Sequence, residues 1–188
     1  MKVVILAGGK GTRFSEYTKT MPKPMIKVNG KPIIHRIIDH YMKYGHKEFY
    51  IALGYKGKII SNYFKRKKFP KDIKINLIKT GLNTMTGGRL KRLKKFLKET
   101  FLMTYGDGLS NVNIDKLTKF HFKKKKLITL TAVRPPARFG AISVEKDIVG
   151  YFREKSSLDE GWINGGYFVV EPNFIKLIKN DETLLEQE

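Results

Sequence analysis

The chain has no cysteine among its 188 residues, which excludes a disulfide framework, cysteine-ligated zinc and a thiol nucleophile. Long apolar runs are missing too. Apolar residues make up 41%, and no uninterrupted stretch reaches the roughly 20 residues that span a bilayer, so no membrane partner is expected. Nor is a signal peptide legible, because Met1-Lys2 leads into a short apolar segment, Val3 to Ala7, that stops at glycines instead of a cleavage site. A cytoplasmic location is the expectation. Acidic residues are few, 17 against 38 basic ones, for a net charge of +21. Such a surplus suits polyanionic partners: nucleic acid, anionic lipid or nucleotide phosphates. Its distribution argues against nucleic acid. The densest runs, Lys65-Arg66-Lys67-Lys68 and Lys123 to Lys126, each follow an apolar-periodic segment, where cations suit a solvated helix C-terminus.

The length fits a single domain that buries roughly two-thirds of its unfolded surface. Lys2 to Ala7 reads as a buried strand, being short, rich in β-branched residues and closed by Gly8-Gly9. Ile34, Ile37, Ile38 and Tyr41 fall at helical spacing, with Gly45 as terminator. Alternation then predicts strands at Phe49 to Leu53, Ile73 to Ile78 and Phe101 to Tyr105. Helices are predicted around Ile59 to Phe64, from Leu90 through Leu93 to Leu97 after Gly87-Gly88, and from Ile114 to His121. This alternation implies an α/β fold with a mainly parallel, doubly wound sheet, whose ligands sit at the carboxyl ends of the strands. The second half changes character. Leu127 to Val133, Ala141 to Glu145, Ile148 to Arg153 and Tyr167 to Val170 read as strands of a mixed or antiparallel extension, followed by a last helix from Pro172 through Ile178.

Gly8-Gly9-Lys10-Gly11-Thr12-Arg13 follows the first strand directly, where backbone amides can face an anion and glycines let the main chain approach phosphate oxygens. It is neither a Walker loop, since Lys10 precedes Gly11 instead of Ser or Thr, nor a dinucleotide loop, which needs glycine where Phe14 stands. In Pro22-Lys23-Pro24-Met25 the prolines restrict the backbone around a lysine suited to a phosphate. Asp107, between Gly106 and Gly108 at a strand end, can project a carboxylate without packing around it. By themselves, the loop also reads as a plain strand-to-helix turn and Asp107-Gly108 as an ordinary turn. His35, His40, His46 and His121 lack metal-like spacing and read as structural or surface residues.

The order LAGGKGTR followed by KPM resembles the sugar-phosphate nucleotidyltransferases, in which the lysine stands ten residues after the arginine of the loop, as Lys23 stands to Arg13. Within them the chain is most similar to the glucose-1-phosphate cytidylyltransferases. That likeness rests on Thr84-Met85-Thr86-Gly87-Gly88-Arg89, Thr104-Tyr105-Gly106-Asp107-Gly108, Pro135 to Ala141, Phe152-Arg153-Glu154-Lys155 and Ile163-Asn164-Gly165-Gly166-Tyr167-Phe168. The resemblance implies a Rossmann-like, GT-A-like nucleotidyltransferase fold and Mg²⁺-assisted transfer of a cytidylyl group from CTP to α-D-glucose 1-phosphate, giving CDP-glucose and pyrophosphate. A role in nucleotide-sugar biosynthesis of the kind that feeds O-antigen also follows from it. It divides the chain into a nucleotide-binding half, residues 1–126, and a sugar-phosphate-binding half, residues 127–188.

The resemblance also implies roles. Leu6, Ala7, Gly8, Gly9, Lys10, Gly11, Thr12, Arg13, Lys23, Thr84, Thr86, Gly87, Gly88 and Arg89 bind the nucleotide. Gly140, Glu154, Lys155, Asn164 and Gly165 bind the sugar phosphate, and Asp107 holds Mg²⁺. Arg13, Lys23 and Asp107 carry catalysis, and the resemblance leaves a homo-oligomer open. Small residues at Thr86 to Gly88 leave room for a flat ring; read alone, the same residues are a helix start. The family continues beyond the position of Glu188, where it carries a second magnesium-binding aspartate, so the chain is expected to be a C-terminally shortened member. It also has Ser156 where the family usually has proline. Two alternatives stay open: a sister enzyme using UTP, dTTP or GTP, and a shortened protein that binds nucleotide without catalysis.

Overall fold

The computed structural model describes residues 1–11, 18–135, 141–153 and 161–187. Along the chain they form β1 (Val3–Ala7), β2 (Lys27–Val28), β3 (Lys31–Pro32), α1 (Ile33–Met42), β4 (Glu48–Leu53), α2 (Gly57–Arg66) and β5 (Lys74–Lys79). There follow α3 (Thr86–Arg92), β6 (Phe101–Tyr105), α4 (Ile114–Lys124), β7 (Ile128–Val133), β8 (Ala141–Glu145), β9 (Ile148–Arg153) and β10 (Ile163–Val170).

Six strands make one sheet in the order β5-β4-β1-β6-β10-β7. The first four run parallel, as the alternating pattern implies, and β10 returns antiparallel between β6 and β7. β1 is central and buried throughout, with Val3, Ile5 and Ala7 facing one helical layer and Val4 and Leu6 the other. On the first face lie Ile34, Ile37, Ile38 and Tyr41 of α1, Ile60 and Phe64 of α2, and Ile114 and Leu117 of α4. On the second lie Leu90 of α3, then Leu93 and Leu97, with Ile175 and Ile178 from the end of the chain. The register pairs Ala7 with Leu53 and Leu6 with Tyr105, so β1, β4 and β6 end level and the residues after them gather on one edge.

Both basic runs sit where helices end. Lys65 and Arg66 occupy the last turn of α2, and Lys123 and Lys124 that of α4, whose cap Lys125 has φ +50°. At the other end of α4, Asn113 accepts a hydrogen bond from the Lys116 N–H at 2.9 Å, capping the first turn. Two predicted helices come out differently. The helix expected from Leu90 to Leu97 stops at Arg92 and tightens into a 3₁₀ turn, Lys94–Phe96, before delivering Leu97 to the core. After Pro172 the chain forms only 3₁₀ turns, Pro172–Leu177, because the residues it buries, Ile175 and Ile178, are three apart, the 3₁₀ period.

His35, His40 and His46 all have pKa values pushed below the ordinary range by burial. His35 meets the Tyr63 hydroxyl at 2.5 Å, and His40 Nε2 contacts the Val112 carbonyl at 3.0 Å. Each is therefore favoured neutral in the fold and must take up a proton more readily when unfolded. The stability this provides is present above the unfolded value of about 6.5 and is lost as pH falls through the lower folded values. The melting temperature is thus expected to decline from pH 7 to pH 5, before most carboxylates titrate. Thermal unfolding across that range checks this, and a flat profile contradicts it.

Candidate active site

The carboxyl edge of the parallel strands carries a cleft of about 710 Å³, floored by Leu6, Ala7 and Gly8 and flanked by Lys23, Thr84 and Asp107. Lys23 opens a 3₁₀ turn, Lys23–Met25, set by Pro22 before it and Pro24 within it, and closed by the Met25 N–H on the Pro22 carbonyl at 2.8 Å. Pro24 and Met25 are buried, which anchors the turn and leaves the lysine at its start directed at the edge. Its Nζ lies 2.7 Å from Asp107 Oδ2. Asp107 is delivered by β6 through Gly106, whose N–H donates to the Leu6 carbonyl at 2.9 Å and so fastens the turn to the end of β1. A side chain at Gly106 would meet Pro24 at 3.0 Å and Ala7 at 3.1 Å, so the glycine brings the lysine turn and the aspartate strand together. Both charged groups remain about one-third exposed, with side-chain accessibilities of 28% and 33%, open to a ligand.

The glycine loop divides by role. Gly8 is buried against the floor, whereas Gly9 and Lys10 are exposed, and nothing lies within 4 Å of where a Gly9 side chain would begin. Gly11, at φ +65°, holds a conformation that other residues rarely adopt. Beneath the loop lies Arg89, 4% exposed, its guanidinium donating to the carbonyls of Gly8 at 2.9 Å and Gly81 at 2.7 Å and to the Thr80 hydroxyl at 2.8 Å. Burial lowers its pKa. A side chain at Gly8 or Gly54 would overlap that guanidinium, so these glycines serve Arg89.

Gly87 and Gly88 likewise have partners other than an open space for a ring. They sit inside α3, and residues 181–185 run across its first turn: Met85 N–H donates to the Asp181 carbonyl at 2.8 Å, and Gly87 N–H to the Thr183 carbonyl at 2.9 Å. Arg92 pairs with Asp181, holding the Asp181 carboxyl below its usual range by hydrogen bonding. A side chain at Gly88 would stand 2.5 Å from the Asp181 backbone. Gly88→Ala is therefore expected to destabilise the protein by about 1–3 kcal/mol through overpacking against main chain that cannot yield, outweighing the roughly 1 kcal/mol alanine brings to a helix. Chemical denaturation measures this; a gain in stability contradicts the packing described.

At the far wall, residues 184–186 supply a group with no signal in the sequence. Glu186 accepts from the Thr86 hydroxyl at 2.8 Å and the Tyr105 hydroxyl at 2.7 Å, and Asn164 donates to Tyr105 at 3.3 Å. Burial, with the Glu186 hydrogen bond, pushes the Tyr105 phenol well above its usual pKa, so it stays a neutral donor. A glutamate in a polar, acidic tail reads as solvated; only the seating of 181–185 on α3 brings it to the cleft. Of the other expected site residues, Thr84 is buried at the cleft wall, and Gly165 packs where a side chain would meet the Thr131 carbonyl at 2.8 Å. Thr12, Arg13, Gly140, Glu154 and Lys155 lie outside the described residues. No helix among the described residues is long and apolar enough to cross a membrane.

A mainly parallel sheet with a glycine loop, a lysine and a carboxylate converging on the carboxyl edge of its parallel strands is the arrangement of an enzyme that handles nucleotide phosphates. A family model described as nucleotidyl transferase matches residues 2–188. The chain belongs to that family, in the class of sugar-1-phosphate nucleotidyltransferases. It is 43% identical to a glucose-1-phosphate cytidylyltransferase of Salmonella typhi, over all of this chain and 82% of that protein. A D-glycero-alpha-D-manno-heptose 1-phosphate guanylyltransferase of Campylobacter jejuni is 35% identical over all of this chain and 81% of that protein. Among solved structures, HddC from Yersinia pseudotuberculosis complexed with GMP-PN superposes with a TM-score of 0.76 at 26% identity, covering all of this chain and 84% of that one.

Proposed function

We propose that the chain transfers a cytidylyl group from CTP to α-D-glucose 1-phosphate, giving CDP-glucose and pyrophosphate. The observation that carries the chemistry is the Lys23–Asp107 pair, 2.7 Å apart beside an exposed Gly9 on the carboxyl edge of the sheet. The choice of base and sugar follows the 43% identity to the cytidylyltransferase. In the reaction a phosphate oxygen of the sugar phosphate attacks the α-phosphorus of CTP in line. One P–O bond forms at the α-phosphorus, the bond from it to the oxygen bridging to the β-phosphorus breaks, and that oxygen departs with the electron pair as pyrophosphate. No covalent nucleophile is needed, only placement and charge.

The exposed glycine loop receives the triphosphate, and Lys23 neutralises charge that builds on the transferring phosphoryl and its leaving group. Arg13, on the same loop in sequence, adds a second cation, and Lys155 with Glu154 orients the sugar phosphate. Asn164 and Gly165 border the same substrate on β10. Mg²⁺ fits this donor set. Asp107 presents one hard, partly exposed carboxylate to the cleft, and Mg²⁺ characteristically takes one or two carboxylates and completes its shell with water and phosphate oxygens. Bound there, the ion would supply Lewis-acid charge at the phosphate oxygens.

Base choice is tested by comparing CTP with UTP, GTP and dTTP at fixed glucose 1-phosphate. The expected outcome is a kcat/KM for CTP at least about tenfold above the others, the difference made by roughly one hydrogen bond of about 1.4 kcal/mol. A preference for GTP overturns the assignment in favour of the guanylyltransferase reading, which the heptose relative and the HddC superposition support.

A further inference from the structure

Away from the cleft, one face of α2 borders a second cavity of about 380 Å³, lined by Met25, Ile59, Asn62, Tyr63, Arg66 and Lys67. The helix turns Ile60 and Phe64 into the core. Positions 59, 62–63 and 66 recur at intervals of three to four residues, so they form a separate stripe, which Lys67 extends as the helix cap. The cavity changes character along that stripe. The exposed Ile59, the Tyr63 ring and the buried Met25 give it an apolar wall, and Asn62, Arg66 and Lys67 give it donors. Tyr63 is fixed in that wall, because His35 Nδ1 meets its hydroxyl at 2.5 Å and its ring packs edge-on against Phe64, centroids 5.2 Å apart.

A basic run at a helix C-terminus is ordinarily a solvated end, and that account suits Lys65 and Lys68, which lie outside the cavity. Arg66 and Lys67 differ in bordering an apolar-walled space with no counter-charge. α2 itself contains no acidic residue. Asp39, beside His35, is paired with Lys31 at 2.7 Å, and Asp72, beyond the helix, with Lys47 at 2.9 Å. No carboxylate among the described residues pairs with Arg66 or Lys67. A guanidinium fork beside an ammonium suits phosphate oxygens, and two cations match the charge of roughly −1.5 to −2 on a phosphate monoester better than the single charge of a carboxylate. The volume falls at the lower end of the roughly 300–1,000 Å³ that small-molecule sites occupy, so a bare phosphate ion would leave the apolar wall uncovered.

We propose that this cavity is a second ligand site, separate from the nucleotide cleft, which takes a small organic phosphate monoester. The phosphate sits against Arg66 and Lys67, and an apolar or planar group covers Ile59, Tyr63 and Met25. One three-residue turn divides the two spaces: Lys23 and Pro24 border the cleft, and Met25 borders the cavity. An occupant of the cavity therefore touches the turn that begins with Lys23. The site does not depend on which nucleotide the cleft accepts.

Two methionines report on the two spaces, since Met25 lines the cavity and Met85 the cleft. The experiment is NMR of the full chain labelled with ¹³C at its six methionine methyls, with Met25→Leu and Met85→Leu assigning the two signals. It is titrated with phenyl phosphate, inorganic phosphate and phenol. The expected result is a shift of the Met25 signal by phenyl phosphate, with an affinity about tenfold or more above that for inorganic phosphate or phenol, as burial of an aromatic ring together with a paired phosphate requires. The double variant Arg66→Ala/Lys67→Ala should weaken that affinity about tenfold or more. Both residues are exposed, so its melting temperature should stay within a few degrees of wild type. A Met25 signal that moves with the same midpoint as Met85 and persists in the double variant places the probe in the cleft and overturns the proposal. Equal affinity for inorganic phosphate, which marks a bare anion patch, or no movement of Met25 overturns it as well.

Discussion

Asp107→Ala is expected to lower kcat by about a hundredfold to a thousandfold, or on the order of 3 to 4 kcal/mol in the transition state, with the fold intact. The carboxylate is the described acidic group that stands beside Lys23, and it reaches the cleft from the end of β6. Its partnership with Lys23 is partly exposed, so the pair contributes only about 0–1 kcal/mol to stability and its loss should leave the melting temperature within a few degrees. Activity and stability therefore part company at this position. Lys23→Ala should fall by a similar factor, and because the two groups are 2.7 Å apart the double variant should lose less than the sum of the singles. Steady-state pyrophosphate release under saturating Mg²⁺ measures the effect, and turnover within threefold or so of wild type for Asp107→Ala would remove the aspartate from the mechanism.

Phe49→Ala should cost about 3–5 kcal/mol, a large part of the 5–15 kcal/mol by which such domains are stable. Phe49 is fully buried in β4, opposite Val3 of β1, in the layer formed with α1, α2 and α4. Removing the ring leaves a cavity between the sheet and the helical layer that packed elements close only in part. For a chain of this size the loss corresponds to roughly 6–20 °C in melting temperature. The same strand ends at Leu53 and Gly54, under Arg89, so nucleotide affinity should weaken as the temperature approaches the lowered transition. A change of under about 1 kcal/mol in denaturant unfolding would contradict the core described.

The parallel half of the fold was legible because each of its strands is a short apolar run and each main helix a 3.6-residue pattern, signals that depend on burial alone. β1, α1, β4, β5 and β6 fall within a residue or two of expectation for that reason. The two-stranded pair β2–β3 carries Lys27, Val28, Lys31 and Pro32, two residues a strand and too short to show a pattern. β10 was read only from Tyr167 onward, since Ile163 to Gly165 are half-buried at most and carry glycines. Nothing local shows that β10 inserts between β6 and β7; that follows from long-range pairing.

The site was legible in its residue types and less so in their jobs. Lys23 and Asp107 could be singled out because prolines and glycines frame them, and the structure brings them to one cleft. Glycine, by contrast, marks close approach without saying of what. At Gly8 and Gly54 the neighbour is the Arg89 guanidinium, and at Gly87 and Gly88 it is the main chain of residues 181–183. Glu186 and Tyr105 enter the cleft through contacts 81 residues apart, beyond the reach of any spacing rule.

The central question is whether this cleft joins a nucleotide to a sugar phosphate. The most direct measurement is release of pyrophosphate by the purified chain with CTP, glucose 1-phosphate and Mg²⁺, with the sugar nucleotide identified by mass spectrometry. The predicted result is CDP-glucose and pyrophosphate in equal amounts, dependent on both substrates and slowed about a hundredfold or more by Asp107→Ala. Tight CTP binding without pyrophosphate release, or release that does not require the sugar phosphate, would contradict it.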